Sequence, residues 1–240
     1  MRVRDARLLI SAGGLGDFPR AGLPEIAFSG RSNVGKSSLL NKLVGRHKLA
    51  RISSTPGCTQ RVNFFQLDDR LLFADLPGYG YARVPAAVRA GFEPMIRAYL
   101  EGREALRLVW VLVDARHPPT ELDIQLVAWL RSIQVPFQVA MTKSDRLSGN
   151  QRPRALSTCV QALELDGTDQ AVLTSSKTHA GIPTMWRTIE RAAAEEPRPT
   201  RSRTGEPLSG QSCASLPGDR QERSTDPARP PGRSKEKTTR

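Results

Sequence analysis

Cysteine and histidine are scarce in this chain, with three of each among 240 residues. Cys58, Cys159 and Cys213 are widely scattered, so their spacing fits neither a zinc site nor a disulfide framework. This scarcity argues against a small zinc domain and against a secreted protein held together by disulfides. We therefore expect a protein of a reducing compartment and predict that it is cytoplasmic.

Long apolar runs are also missing. Near the N-terminus, the apolar run Leu8–Ile10 is too short to form the core of a signal peptide. No stretch approaches the roughly 20 apolar residues that a membrane-spanning helix needs. The sequence therefore predicts no membrane insertion.

Large apolar residues become rare near the C-terminus. Segment 197–240 is rich in Pro, Ser, Gly and Arg, a composition that buries too little surface to offset the entropy lost on folding. We predict a disordered tail at 197–240, one folded domain at 23–196, and an N-terminal extension with its first turn at 1–22.

The net charge is strongly positive, at +12. The tail and the folded part share it, since residues 198–240 carry 10 Lys and Arg against 5 Asp and Glu. Electrostatics alone favours a polyanionic partner, either nucleic acid or an anionic membrane surface. Charge that serves only solubility remains the alternative.

Short apolar runs alternate with longer amphipathic stretches, which indicates an α/β fold with a mostly parallel sheet. The Asp68-Asp69 pair indicates a tight hairpin, so one of the six predicted strands should be antiparallel. The predicted strands are Glu25–Phe28, Asn63–Leu67, Leu71–Ala74, Leu108–Val113, Phe137–Met141 and Ala171–Thr174. The predicted helices are Ser37–Val44, Pro85–Glu101, Glu121–Ile133, Gln151–Leu165 and Ile182–Glu195.

A phosphate-binding loop follows the first predicted strand. Its pattern, G-x-x-x-x-G-K-[ST], uses glycines so that successive N–H groups can face an anion. Lys36 is predicted to reach the outer phosphates, and the Ser37 hydroxyl is predicted to bind Mg²⁺. The loop indicates a nucleoside triphosphate without identifying the base. The residues predicted to surround the phosphates are Gly30, Arg31, Ser32, Asn33, Val34, Gly35, Lys36, Ser37 and Ser38.

A D-x-x-G element, from Asp75 to Gly78, follows the third predicted strand. A carboxylate at the end of a buried strand is costly unless it serves a cation, and Asp75 could hold Mg²⁺ through water. The Gly78 N–H could bond the terminal phosphate and lose that bond after hydrolysis. Earlier in the chain, Thr55 and Thr59 each offer a hydroxyl for Mg²⁺, and residue chemistry does not choose between them.

The motif Thr142-Lys143-Ser144-Asp145 follows the fifth predicted strand and predicts guanine as the base. The Asp145 carboxylate can accept hydrogen bonds from the N1–H and the exocyclic amine of guanine, whereas adenine offers no matching pair of donors. The alkyl chain of Lys143 can lie along the base. The run Ser175-Ser176-Lys177 follows the last predicted strand, where backbone N–H groups can meet the guanine O6.

Together, five sequence boxes resemble those of the EngB family of ribosome-biogenesis GTP-binding proteins, which belong to the translation-factor-like P-loop GTPases. The boxes read GRSNVGKSS, TPGCTQ, DLPGYGYA, TKSD and SSK, and the resemblance covers roughly residues 8–195. It implies a three-layer P-loop GTPase fold with helices on both faces of the sheet. It also implies that GTP or GDP is bound with Mg²⁺.

The resemblance assigns roles to single residues. It identifies Thr59 rather than Thr55 as the Mg²⁺-binding threonine, and Gly57 joins the predicted nucleotide site. The residues that it implies for hydrolysis are Lys36, Thr59 and Gly78, and those for the metal are Ser37, Thr59 and, through water, Asp75. This chain departs from the family at Cys58, where the family usually carries a basic residue, so an RNA contact from that position is not carried over, while the role of Thr59 is.

The resemblance further implies a role in maturation of the large ribosomal subunit, and so in normal growth or division. The partner would be that subunit or its rRNA. From the charges we expect the RNA-facing surface to use the basic stretch 46–51 with Arg61 and Arg83, and a solvated charged face is the alternative. A nucleotide-gated binding switch with a non-ribosomal partner and incidental hydrolysis remains the alternative. We expect the protein to be a monomer.

Tyr79 follows Gly78, where many GTPases carry a glutamine that orients the attacking water. A tyrosine cannot act as a base near neutral pH, so we predict slow intrinsic hydrolysis that a partner or a monovalent cation stimulates. By resemblance to related GTPases, Asn33 is the candidate ligand for K⁺.

Overall fold

The described part of the protein comprises residues 3–20, 22–46, 49, 61–79 and 86–197 of a computed structural model. In the helix that begins at Ala86, side chains are described from Pro94 onward. Two predicted site residues, Gly57 and Thr59, lie outside this part, as do the alternative Thr55, Arg83 and most of the basic stretch 46–51. The predicted disordered tail lies outside it as well, apart from Pro197.

Strands and helices alternate along the described chain, as the sequence pattern predicts. The strands are β1 (Ala6–Ala12), β2 (Glu25–Gly30), β3 (Val62–Leu67), β4 (Leu71–Asp75), β5 (Leu106–Asp114), β6 (Phe137–Thr142) and β7 (Ala171–Leu173). The helices are α1 (Lys36–Leu43), α2 (Ala86–Gly102), α3 (Glu121–Ser132), α4 (Gln151–Ala162) and α5 (Ile182–Ala193). Each predicted helix is confirmed, with ends that differ by a few residues.

The strands form one seven-stranded sheet in the order β1-β3-β4-β2-β5-β6-β7. Strand β3 pairs antiparallel with both of its neighbours, and the other neighbouring pairs are parallel. The hairpin between β3 and β4 turns at Asp68 and Asp69, whose φ angles of 46° and 50° lie in the left-handed region that Asp tolerates. The predicted α/β class with one antiparallel strand is therefore confirmed.

The sheet has one strand more than the six that the sequence pattern predicts. The extra strand, β1, lies at the edge of the sheet within the predicted N-terminal extension. This strand lacks the alternation of buried and exposed residues that would predict it. Leu8 and Leu9, neighbours in sequence, are both exposed, and the pairing of β1 with β3 shifts register between Leu8 and Ile10. The Asp68 carboxylate fixes the start of this region by accepting the N–H groups of Arg4 and Asp5.

Two apolar clusters occupy the two faces of the sheet. Residues of α1 and α5 pack on one face, around the buried Trp110 and Trp186. Residues of α2, α3 and α4 pack on the other face, around Tyr99 and Met141. The protein therefore has the three predicted layers, and the tryptophans and Met141 contribute to packing. Among the described residues, no helix is both long and apolar enough to cross a bilayer.

Candidate nucleotide-binding site

The phosphate loop joins the carboxyl end of β2 to the first residue of α1, Lys36. Gly30 is required by close packing, since a Cβ there would lie 2.9 Å from the Cβ of Leu112 on the neighbouring strand β5. Gly35 is required by its φ of 106°, which side chains rarely tolerate. The loop therefore turns tightly over the sheet and leads into the N-terminus of α1, where the helix dipole favours an anion.

Lys36 and Asp75 meet at the phosphate end of the site. The Lys36 ammonium contacts the Asp75 carboxylate, and both side chains are largely buried, at 12% and 8% exposure. Asp75 is the last residue of β4, and Ser37 follows Lys36 in the first turn of α1. The hydroxyl and the carboxylate are hard oxygen donors of the kind that Mg²⁺ prefers, so these residues fit that metal.

The D-x-x-G element packs directly against the phosphate loop. A Cβ at Gly78 would lie 3.3 Å from the Ser32 nitrogen, so a glycine permits this approach. Next along the chain, the carbonyl of Tyr79 accepts the Ser32 N–H at 3.2 Å, and Tyr79 also pairs with Arg31 in a short parallel bridge. The predicted phosphate loop and the predicted phosphate sensor are therefore joined through their main chains.

The side chain of Tyr79 points to α3. Its hydroxyl donates to Asp123 Oδ1 at 2.8 Å, and Asp123 is buried, with 3% exposure. Burial raises the pKa of Tyr79 well above its usual value, and the charge of Asp123 raises it further. The phenol therefore stays protonated and serves as a hydrogen-bond donor to α3.

Asp145 is oriented by Ser175 at the predicted guanine end. The Ser175 hydroxyl donates to Asp145 Oδ1 at 2.7 Å, and its oxygen accepts the N–H groups of Lys177 and Thr178. The hydrogen bond from Ser175 lowers the pKa of Asp145, with smaller contributions from Lys177 and Arg146. Asp145 is therefore held as an ionised, directed acceptor, the form that pairing with guanine requires.

Lys143 connects the guanine end to the phosphate loop. Its ammonium donates to the backbone oxygen of Asn33 at 2.8 Å and to Asp114 Oδ2 at 2.9 Å. With its φ of 61°, Lys143 takes a left-handed conformation that its two anchored ends hold in place. The alkyl chain is thereby fixed beside the site, which suits the predicted stacking along the base.

Asp114 is a site residue that the sequence analysis missed. It ends β5 and binds both Lys143 and Arg116. Burial alone would raise the pKa of Asp114, but the hydrogen bonds from Arg116 and Lys143 outweigh it and lower that pKa strongly. The available signal was its position at the end of an apolar run, two residues before Arg116.

Thr142 supports the phosphate loop with its side chain. The buried hydroxyl lies 2.6 Å from the backbone oxygen of Val34 and 3.1 Å from that of Val113, and it donates to this pair of acceptors. The hydroxyls of Thr142 and Ser175 are thus occupied by protein groups. Thr142 contacts Val34 and Ser175 contacts Asp145, and their part in nucleotide binding stays a prediction.

The predicted residues that are described lie at the carboxyl ends of β2, β4 and β6, in the loops that follow β2, β4, β6 and β7, and in the first turn of α1. Arg31, Ser32, Asn33 and Lys177 are exposed, whereas Ser37, Ser38 and Ser176 are partly buried. The Asn33 backbone oxygen bonds Lys143, and the expectation of K⁺ at Asn33 stays a prediction.

A shallow cavity of about 400 Å³ lies at the opposite edge of the sheet. It is lined by residues at the start of β5 and β6 and near the end of α5, among them Arg107, Phe137 and Arg191. In parallel α/β sheets, ligands bind at the carboxyl ends of the strands. The nucleotide site and this cavity are therefore at different ends of the molecule.

Comparison with known proteins agrees with this geometry. A family model described as 50S ribosome-binding GTPase matches residues 25–143. The EngB GTP-binding protein of Pelotomaculum thermopropionicum is 46% identical over 191 residues, which cover 80% of this chain and 96% of the relative. The EngB protein of Lacticaseibacillus casei is 46% identical over 198 residues, which cover 82% of this chain and all of the relative.

Solved structures show the same fold. The crystal structure of a GTP-binding protein EngB has a TM-score of 0.59 at 21% identity and covers 70% of this chain and 98% of its own. That of Aquifex aeolicus Era has a TM-score of 0.58 at 22% identity and covers 78% of this chain and 59% of its own. The sheet order and the helices on both faces are therefore those of a P-loop GTPase.

Proposed function

Because the chain belongs to the EngB family of GTP-binding proteins, we propose that it hydrolyses GTP slowly until a partner stimulates it, and that it assists assembly of the large ribosomal subunit. The observation that carries the kinetic part is the bond between Tyr79 and Asp123. The residue after Gly78 is engaged with α3, so it does not orient a water molecule.

Guanine selection rests on Asp145. Its carboxylate accepts from the two donors of the guanine edge, and Ser175 sets its direction. Lys143 supports the base through an ammonium fixed by Asp114 and Asn33. In the run from Ser175 to Lys177, the Ser175 N–H donates to the Ala180 oxygen and the Lys177 N–H donates to Ser175 Oγ. The Ser176 N–H is therefore the candidate donor to the guanine O6.

Phosphoryl transfer depends on positioning and charge. Lys36 and the N–H groups of the phosphate loop neutralise the outer phosphates, and the Gly78 N–H bonds the terminal one. Ser37 and, through water, Asp75 would hold Mg²⁺, together with Thr59 by resemblance. When bound, Mg²⁺ neutralises charge on the β- and γ-phosphates. The chain supplies no further base at the position of Tyr79, so we expect slow turnover by the isolated protein.

The ribosomal part of the proposal is supported by the matching family model, which is described as a 50S ribosome-binding GTPase. The net charge of +12 suits an RNA-rich partner, since basic side chains release counterions from phosphates on binding. The consequence for the cell would be a requirement in growth or division. The alternative is a nucleotide-gated switch with a non-ribosomal partner.

Cosedimentation with purified large and small subunits tests this proposal. The full chain is mixed with each subunit in the presence of a non-hydrolysable GTP analogue or of GDP, at low and at physiological salt. We expect it to sediment with large subunits when the GTP analogue is present, and large subunits should raise its GTPase rate at least tenfold. Failure to sediment at low salt in either nucleotide state would overturn the ribosomal proposal and favour the alternative.

An Asp145→Asn variant supplies the matched control. The substituted amide should weaken guanine binding about 100-fold and favour xanthine, whose C2 carbonyl complements an amide donor. If binding to the subunit is gated by the nucleotide, Asp145→Asn should sediment with a xanthosine triphosphate analogue and not with the GTP analogue. If the protein sediments equally with every nucleotide, its binding to the subunit is driven only by charge attraction to RNA.

A further inference from the structure

Tyr79 connects the phosphate loop to helix α3. Its carbonyl accepts the Ser32 N–H of the phosphate loop at 3.2 Å, and its hydroxyl donates to Asp123 of α3 at 2.8 Å. Its ring packs against the apolar cluster that α2, α3 and α4 share. A single side chain therefore ties the residue next to Gly78 to the start of α3.

Asp123 is unusual because it is a carboxylate with 3% exposure. Within the described part of the chain, no basic side chain lies at ion-pair distance from it. Its Oδ2 accepts the N–H and the hydroxyl of Thr120, each at 2.7 Å, which forms the capping box of α3. Capping uses only one carboxylate oxygen, and the other one is bonded to Tyr79.

This arrangement has a cost that capping alone does not explain. A buried carboxylate without a cation is expensive and needs several donors to offset its desolvation. An exposed acidic residue at the same helix position would cap α3 equally well. The buried position of Asp123 also lets its second oxygen accept the Tyr79 hydroxyl, which couples the conformation of Tyr79 to α3.

We propose that Asp123 is a positioning residue for the GTPase cycle, which holds Tyr79 so that Gly78 stays at bonding distance from the terminal phosphate of GTP. The inference rests on the proposed phosphate-sensing role of Gly78. Loss of the Tyr79–Asp123 bond releases the Tyr79 hydroxyl from α3, so Gly78 meets the γ-phosphate less well. GDP has no γ-phosphate, so its binding depends much less on this bond.

The test compares the affinities of the full chain for GDP and for a non-hydrolysable GTP analogue, measured by titration calorimetry without ribosomes. Tyr79→Phe removes only the hydroxyl. We expect it to weaken binding of the GTP analogue about three- to tenfold while GDP affinity stays within twofold. Asp123→Asn should act in the same direction, and the double variant should be no worse than the stronger single variant, because both changes break one bond.

Thr120→Ala is the matched control. It removes a donor from the other oxygen of the same carboxylate and should lower thermal stability without changing the ratio of the two affinities. If Tyr79→Phe and Thr120→Ala lower stability alike and both leave the ratio unchanged, the bond is purely structural and the inference is wrong.

Gly78→Ala separates this inference from the proposed function. Its Cβ would press on Ser32, so it should also weaken binding of the GTP analogue selectively. An unchanged ratio for Gly78→Ala would refute phosphate sensing by Gly78 itself. A changed ratio for Gly78→Ala with an unchanged ratio for Tyr79→Phe would refute only the role of Asp123. Ribosome binding is measured separately and can succeed or fail in either case.

Discussion

Ser175 and Asp145, which follow different strands, form one hydrogen-bonded unit. The Ser175 hydroxyl donates to Asp145 Oδ1 at 2.7 Å while its oxygen accepts two backbone N–H groups of its own loop. Each N–H increases the polarity of the hydroxyl and strengthens its donation to the carboxylate. The guanine acceptor is therefore aimed by the loop that follows β7.

Replacing Ser175 by Ala should weaken GDP binding about three- to tenfold, since a net hydrogen bond contributes about 0.5–1.5 kcal/mol. The loss arises because Asp145 is directed less well, since its carboxyl stays ionised at neutral pH even at its ordinary pKa of 3.8. Fluorescence titration with a labelled GDP measures it. Ser176→Ala is the control, because the Ser176 hydroxyl makes no hydrogen bond within the described part of the chain, and it should change the affinity less than twofold.

Replacing Asp114 by Asn should weaken both GDP and GTP binding by roughly tenfold, because the Lys143 ammonium loses a charged acceptor whose hydrogen bond contributes about 1.5–3 kcal/mol. Arg116→Ala removes the other, more exposed partner of Asp114 and should change the affinity less than threefold. Equal losses for the two variants would show that Asp114 acts through Arg116 and not through Lys143.

Replacing Arg103 by Ala should lower the free energy of unfolding by about 3–5 kcal/mol, because it leaves a buried carboxylate without its cation. That carboxylate belongs to Glu25, which is fully buried and bonded to both Arg103 and Tyr99. Urea unfolding measures the loss. The exposed pair of Arg7 and Asp69 is the control, and Arg7→Ala should cost less than about 1 kcal/mol.

Cys159 should not react with thiol reagents at pH 8 in the folded protein. Burial raises the pKa of its thiol to about 12, and the charge of Asp123 adds to this effect. The measurement uses a variant in which Cys58 and Cys213 are replaced by Ser, and labelling should become complete in denaturant. Rapid labelling of the folded variant at pH 8 would contradict the burial of this side chain.

The same thiol gives a pH dependence with a definite sign. A raised pKa means that the folded protein retains a proton that the unfolded chain loses above its own pKa, near 9. This contribution to stability is complete below pH 9 and falls as the pH rises towards 12. Cys159→Ala should show less alkaline destabilisation in urea titrations at pH 8 and pH 10.

Local patterns were sufficient to predict much of the protein. The phosphate loop is recognisable because its glycines and its lysine stand at fixed spacing, and the helices because their apolar residues recur with helical period. Asp145 could be predicted because the order of boxes along the chain identifies the base-binding loop. None of these predictions required knowledge of which strands are neighbours.

Other features depended on residues that are distant in sequence. Strand β1 has no clear alternation and exists through its pairing with β3. Lys143 reaches Asn33 across 110 residues and Asp114 across 29, and those pairings follow from the position of β5 between β2 and β6. No spacing rule predicts such contacts, because they depend on strand order and register.

The sequence by itself determined which chemical groups this GTP-binding protein has, and their order along the chain. Tyr79 illustrates what the sequence did not determine. The residue type excluded a catalytic base at that position, but it did not identify the hydrogen-bond partner of the hydroxyl. Only the tertiary structure placed Asp123 at 2.8 Å, across 44 residues. The reason is physical, because a side-chain hydrogen bond forms only when packing of the sheet and α3 brings donor and acceptor within 3 Å.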